Sequence, residues 1–492
     1  MVNIYNYSIN SKLVFSTWKT ARLTPIFKKD DETDSGNYRP ISLLSIPSKI
    51  LESVINDSMV QHICKDNELM SENQWAYRQG HSTELLLVHM TEIWRKALDS
   101  GSFVAAAFVD FKKAFDSVPH EALENKLESQ FGITGDLLDW IKSYLSGRTQ
   151  YTVLNGVTSE LLPVKTGIPQ GSVLGPTLFT LFCNDLPSAV GSGTLYMYAD
   201  DTTIFCIGES ADIALIQLNK ALKEVYKWCL ENRLTPHPGK SEIMILSKKS
   251  IMGPLPPVYL GQSVLRYVSK TRLLGMTVDN KLTWVPHVME LKKSFVNKLE
   301  LLKRSRFLPT DVLLKFYFSV ILPSIKYGLI LWGSCCNSNL INSIERLHCR
   351  AARIVFNLPK DMPSVDVLKI NKWRTLKLDY KLEVFKLFYK ANNGVLPKSL
   401  ASSIFIKRSS KYSLRGQNVV SIPIFKSRLM KDSLAHRGSV LWNLVNYNES
   451  LIDLSFKAIK TLLTVKEYFI DFTFECSTAS TSQFRERNYM YF

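Results

Sequence analysis

The 492-residue sequence predicts an α+β fold, with strands and helices mixed over about residues 1–280 and a helical remainder. Three observations carry that expectation. Before residue 280, short apolar runs bounded by polar turns alternate with stretches of helical period. From about residue 284 onward the apolar spacing is mostly helical. Hydrophobic residues make up 46% of the chain, with 25 Phe, 20 Tyr and 9 Trp, enough to fill large cores and to exclude a mainly disordered chain. At roughly 150 residues per domain the length allows about three domains.

Taken in order, 21–28 (ARLTPIFK) and 38–44 (YRPISLL) flank the polar stretch 29–37, which reads as a hairpin with a long charged loop. Residues 48–64 carry Ile50, Leu51, Val54, Ile55, Met59, Val60 and Ile63 at helical spacing. The run 103–111 (FVAAAFVDF) is a buried strand ending in an acid, and 195–207 (LYMYADDTTIFCI) is a hairpin with two acids at its turn. Residues 212–232 predict a helix with Ile213, Ile216, Leu218, Leu222, Val225, Trp228 and Cys229 towards a core. The Pro-rich 252–257 reads as a loop. Further helices are expected at 284–302, 310–321, 339–356 and 376–392, with a polar, disordered tail from Cys476.

The eight cysteines are scattered without a C-x-x-C pair, which disfavours a zinc site or a disulfide scaffold, and adjacent Cys335-Cys336 read as reduced thiols. The greasiest stretch, 316–333, is broken by Pro323 and Lys326 and is short for a bilayer. The N-terminus lacks signal-peptide features, so the expectation is a nuclear or cytoplasmic protein with no membrane partner. Net charge is +17, and it is uneven: residues 281–492 hold 34 Lys/Arg against 15 Asp/Glu. A basic surplus confined to one part suggests a polyanion held there.

An acid at the end of an apolar strand is costly unless solvated, paired or bound to a cation, and adjacent acids in a tight turn repel each other. If the strands ending at Asp110 and Asp200-Asp201 lie side by side, three carboxylates converge on an oxygen-rich site suited to Mg²⁺. Two such ions can clamp the attacking and leaving oxygens of a phosphoryl transfer. Between the acids lies GIPQGSVLGP (167–176), a glycine- and proline-rich loop that lets backbone approach a ligand, followed by an apolar helix at 178–182.

FVDFKKAFDSV, GIPQGSVLGP and YADD, in this order and spacing, resemble motifs A, B and C of reverse transcriptases. The flanks narrow the resemblance to the non-LTR (LINE-type, jockey-like) retrotransposon branch. WKTARLTPIFKK with NYRPISLLSIPSKILESVI is similar to its fingers hairpin and following helix, and QWAYRQGHST to its Q-x-G-F-R-x-x-x-S-T segment. NRLTPHPGKSEIMIL resembles motif D, and TRLLGMTVDNKLTWVPHV resembles the segment leading to the thumb. The match covers about residues 10–290.

The resemblance implies a right-hand polymerase: fingers and palm over 1–280, a helical thumb over 281–360, a basic, mostly helical region over 361–475, and the tail 476–492. It implies an RNA-directed DNA polymerase that uses an RNA template, a DNA primer and dNTPs, with two Mg²⁺ ions (Mn²⁺ as a substitute). Asp110 and Asp200, assisted by Asp201, match the metal ligands. Phe115 matches the aromatic gate against a ribose 2′-OH, which viral RNA replicases lack. Gln170 matches the contact to the incoming nucleotide, and Gly171 leaves it room. Lys28 and Arg39 match the cations that grip the triphosphate, Arg78 a template-positioning residue, and Lys240 a donor to the leaving pyrophosphate.

The chain departs from the family pattern at Ala76, where glycine is usual, and at His237, where asparagine is usual. The upstream endonuclease of such elements is expected to be absent. The alternative reading is an element remnant that binds RNA or RNA–DNA hybrid without polymerising.

Overall fold

The structure is a computed structural model that describes residues 1–28, 31–251, 253–334, 337–407 and 420–448. Cys335-Cys336 and the tail from Cys476 lie outside the described residues. Two units are distinguished: residues 1–287 with 397–403 and 425–431, and residues 288–396 with the described parts of 404–424 and 432–448.

In the first unit the charged stretch is turned by β1 (Thr20–Phe27) and β2 (Tyr38–Leu43), paired antiparallel from Arg22↔Leu43 to Phe27↔Tyr38. Helix α1 (Ile46–Val60) follows, started by Pro47 in its first turn, where the missing N–H is no loss. It buries Ser48, Leu51, Glu52, Ile55 and Met59, whereas Ile50 and Val54 of the apolar set are exposed. Helix α2 (Thr83–Asp99) is capped by Ser82, whose Oγ accepts the Leu85 N–H.

The central strand β3 (Phe103–Val109) is buried almost throughout, as its unbroken apolar run requires. Helix α3 (His120–Phe131) packs on α4 (Leu174–Phe182), and β4 (Arg148–Leu154) pairs parallel with β1 from Thr20↔Thr149. The hairpin β5 (Thr194–Tyr198) and β6 (Asp201–Gly208) lies beside β3, with β7 (Glu242–Leu246) on the other flank and β8 (Arg266–Tyr267) at the edge. The order among the described strands is β8-β7-β3-β6-β5, antiparallel except for β8 on β7.

Helix α5 (Ala211–Glu231) covers this sheet and corrects one expectation. Ile213 and Ile216, placed towards a core by the periodicity, are 44% and 67% exposed. The buried face instead runs through Ala214, Leu215, Leu218, Ala221, Leu222, Val225, Trp228 and Cys229. The strand-to-helix connection is tight: a Cβ on Gly208 would lie 2.7 Å from the Ala214 nitrogen.

The second unit is helical. Its elements include α6 (Val285–Arg304, from Val288), α7 (Thr310–Phe316), α8 (Ser338–Val355), α9 (Leu376–Asn392) and α10 (Leu434–Asn448). Lys292, Lys293, Lys303, Arg304 and Arg306 are exposed along and just beyond α6. Among the described residues no helix is long and apolar enough to cross a membrane.

A polar cluster occupies its interior. The Nε2 of His348 lies 3.0 Å from the Arg374 carbonyl, which can only accept, so Nδ1 accepts the Tyr317 hydroxyl at 2.5 Å. Asp379 pairs with Arg374 and Lys326 at 2.7 and 3.1 Å. Glu345 accepts the Leu376 N–H at 3.0 Å, supporting the start of α9. Burial pushes the Glu345 carboxyl up to about 7 from its ordinary 4.5.

A folded pKa above the unfolded value means stability that is full below pH 4.5 and is lost as pH rises towards 7. Glu345→Gln is therefore expected to flatten that slope. Thermal melts at pH 5 and pH 8 check it: the parent melts lower at pH 8, and the variant changes much less. The difference is at most about 3 kcal/mol.

Candidate active site

β3 ends at Val109 and delivers Asp110 at the edge of the buried run. Its neighbour β6 is in register Val109↔Thr202, while Tyr198 pairs with Asp201 across the β5–β6 turn. One residue further, the same register sets Asp110 opposite Asp201, next to Ala199-Asp200, the two residues that reverse the chain. Two residues suffice because Ala199 takes the left-handed conformation, φ +56.

The carboxylates interact electrostatically. Burial raises the Asp200 carboxyl, with Asp110 adding to the rise and Arg39 and Lys28 opposing it. Asp201 keeps an exposed edge. Even so, the protein around its carboxyl, together with Asp200 and Asp110, lifts it to about 6 against the pull of Arg39.

The hairpin supplies those cations. Arg39 lies on β2 opposite Ile26, and Lys28 follows β1, with its N–H on the Asn37 carbonyl at 2.9 Å. Both are exposed, and the charge of each acts on the Asp200 carboxyl. The hairpin is tied to the glycine-rich loop by one backbone bond, from the Ser42 N–H to the Gln170 carbonyl at 2.7 Å. That contact explains Gly171: its φ is +110, and a Cβ would lie 2.7 Å from the Ser42 oxygen. The space a side chain would need there is taken by the hairpin's backbone.

Phe115 is half-buried, its ring stacked on Phe179 of α4 with centroids 4.3 Å apart. The next residue, Asp116, accepts the Gln170 Nε2–H at 2.8 Å. Burial raises the Asp116 carboxyl, while Gln170, Lys113 and Lys28 hold it down. Because an ionised carboxylate only accepts, this bond fixes the orientation of the Gln170 amide.

Lys240 is exposed on a turn stitched to the first acid. The His237 N–H donates to the Asp110 carbonyl at 2.7 Å, and the Asp110 N–H to Ser241 Oγ at 3.2 Å. Ser241 in turn donates to the His237 carbonyl at 3.0 Å. Arg78 sits differently. Its Nη1 donates to the Ser71 and Gln74 carbonyls at 2.7 and 3.2 Å, so it braces the loop 71–78.

Three supporting residues went unassigned in the sequence. Gln74, fully buried, accepts the Ala76 and Ala199 N–H groups at 3.0 and 3.1 Å. Glu52, also fully buried, accepts the Val173 and Leu174 N–H groups at 2.8 and 3.3 Å, placing a carboxylate at the start of α4. Asp116 is the third. An acid inside the apolar helical run KILESVI was the available signal for Glu52, and the acid directly after Phe115 the signal for Asp116.

The three carboxylates supply hard oxygen donors whose clustered charge calls for a cation. Among the described residues no three His, Cys, Asp or Glu side chains close into a metal cage by themselves. An open acidic set fits Mg²⁺, which keeps waters and takes phosphate oxygens alongside one or two carboxylates.

The sequence profile of the family described as reverse transcriptase (RNA-dependent DNA polymerase) matches residues 26–278. The chain is 28% identical over 414 residues to the RNA-directed DNA polymerase from mobile element jockey of Drosophila melanogaster, covering 82% of this chain and 44% of that protein. It is 29% identical over 368 residues to the probable RNA-directed DNA polymerase from transposon BS of the same organism, covering 72% and 40%. The chain thus spans less than half the length of these relatives. Apo telomerase from Candida Tropicalis aligns at a TM-score of 0.39 and 10% identity, over 93% of this chain and 72% of that one. With the family profile matching residues 26–278, just over half of its length, the chain belongs to the reverse transcriptase (RNA-dependent DNA polymerase) family.

Proposed function

We propose that the chain is an RNA-directed DNA polymerase that transfers dNMP from a dNTP to a primer 3′-OH on an RNA template. The observation that supports this best is the electrostatic reach of Arg39 and Lys28 to the Asp200 carboxyl, itself coupled to Asp110 and Asp201, from a hairpin bonded to the Gln170 loop. Acids with cations opposite them suit a triphosphate that brings negative charge and leaves as pyrophosphate.

In this reading Asp110 and Asp200, assisted by Asp201, hold two divalent ions, Mg²⁺ or its substitute Mn²⁺. Bound there, such ions lower the pKa of the primer hydroxyl and offset charge on the leaving group. Lys28 and Arg39 hold the triphosphate, with Arg39 able to bind two phosphate oxygens at once. Gln170, its amide fixed by Asp116, contacts the nucleotide. Phe115, backed by Phe179, blocks the 2′ side of the sugar. The primer 3′-oxygen, its proton passing to solvent water, attacks the α-phosphorus, the bond to the β-phosphate oxygen breaks, and Lys240 gives a proton to the departing pyrophosphate. Arg78 bears on the template through the loop it braces, and the basic residues after 281 bind nucleic acid.

The test is incorporation by purified protein on poly(rA)/oligo(dT). We expect dTTP to be incorporated in Mg²⁺, UTP to be incorporated far less, and chelation to stop both. Salt-sensitive RNA binding without incorporation would instead identify a non-polymerising binder.

A further inference from the structure

We propose that Gln74 is a positioning residue for the two acids of the β5–β6 turn: its buried amide oxygen holds Ala199 in the left-handed conformation that aims Asp200 and Asp201. This rests on the polymerase reading for its consequence, but not for its structural content.

A two-residue reversal between strands needs a residue at positive φ, and glycine fills that position without strain. This chain has Ala199 there, at φ +56. An L-residue leaves that conformation for ordinary ones unless its surroundings hold it. The Ala199 N–H is the handle: it donates to Gln74 Oε1 at 3.1 Å. The same oxygen accepts the Ala76 N–H at 3.0 Å. Two backbone N–H groups can converge only on an acceptor, so the amide orientation is fixed by chemistry.

Gln74 is itself held firmly. It is fully buried, and residues 73–75 run along β5 as a short parallel addition. Met197 donates its N–H to the Asn73 carbonyl at 2.8 Å and accepts the Trp75 N–H at 2.9 Å. Trp75 stacks on His89 at 5.4 Å, and His89 is hydrogen-bonded to Tyr196 of β5 at 2.8 Å. The segment before α2 is thus a rigid arm with its amide at the one peptide of the turn that would otherwise relax. A turn that relaxes swings Asp200 and Asp201, which sit next in the chain.

The test is a cycle of Gln74→Met, Ala199→Gly and the double variant. Methionine keeps the length and loses the acceptor, and glycine takes positive φ without help. We expect Gln74→Met to lower kcat by about 100-fold, with KM for dTTP changed by less than about 3-fold, as misplacement of reacting groups by an ångström or so would do. In the Ala199→Gly background the same change is expected to cost less than about 5-fold.

Amide hydrogen exchange is read in parallel. Ala199 is protected in the parent and loses protection in Gln74→Met, while the amides of 103–109 stay protected and report an intact fold. An equal kcat loss in both backgrounds, or undiminished Ala199 protection in Gln74→Met, overturns the proposal. If the parent does not incorporate nucleotide, the functional reading fails alone and the exchange result still decides this one.

Discussion

Asp200→Asn is expected to lower nucleotide incorporation at least about a thousandfold while leaving the protein as stable as the parent, or slightly more so. The two effects have one cause. Asp200 stands among Asp110 and Asp201, and the raised carboxyls of Asp200 and Asp201 record that their charges are poorly accommodated when no cation is bound. An isosteric amide removes one charge and keeps the shape, so repulsion falls and the metal-free melting temperature holds or rises by a few degrees, about 1 kcal/mol. Activity goes the other way, since losing several kcal/mol of transition-state charge stabilisation is worth a thousandfold or more. Primer extension and thermal melts in chelator check both halves. A variant that retains a tenth of the activity would remove Asp200 from the metal-binding role.

Gly171→Ala is expected to cost about 2–4 kcal/mol and to raise KM for dTTP at least about tenfold. The position combines φ +110, a region left to glycine, with a Cβ only 2.7 Å from the Ser42 carbonyl oxygen. Relief means pushing β2 away from the loop and stretching the bond from Ser42 to Gln170. That moves Arg39 and Lys28 relative to Asp200, whose carboxyl their charges hold down. Gly132→Ala is the comparison: its φ is +64, and nothing lies within 4 Å of an added Cβ. There only backbone strain remains, about 1 kcal/mol, with KM unchanged. Urea denaturation and steady-state kinetics on the two variants separate strain from displacement.

What was legible in the sequence was whatever repeats locally. Asp110 ends an apolar run that had to be a buried strand, and the strand is there. The hairpin, the glycine-rich loop and the helical second part follow from turn chemistry and period. What escaped joins residues far apart in the chain. Gln74 reaches Ala199 across 125 positions, Glu52 reaches Val173 across 121, and Gln170 reaches Asp116 across 54. No local pattern carries such bonds. On α1, Glu52 sat inside a stripe of apolar residues, so period alone gave the deepest position to its neighbours. Ile213 and Ile216 failed for a related reason, because the sheet selected the alanine-lined side of α5.

The backbone hydrogen bond from the Ser42 N–H to the Gln170 carbonyl has a consequence for how this molecule can vary. It anchors the hairpin at its root and leaves residues 31–36 exposed at the far end, where Asp31 and Asp34 fold the loop on itself through the Thr33 and Gly36 N–H groups. Insertions or a reporter dye placed there would ride on a lever with a fixed fulcrum. A change of one residue at the root would shift the register of everything the lever carries.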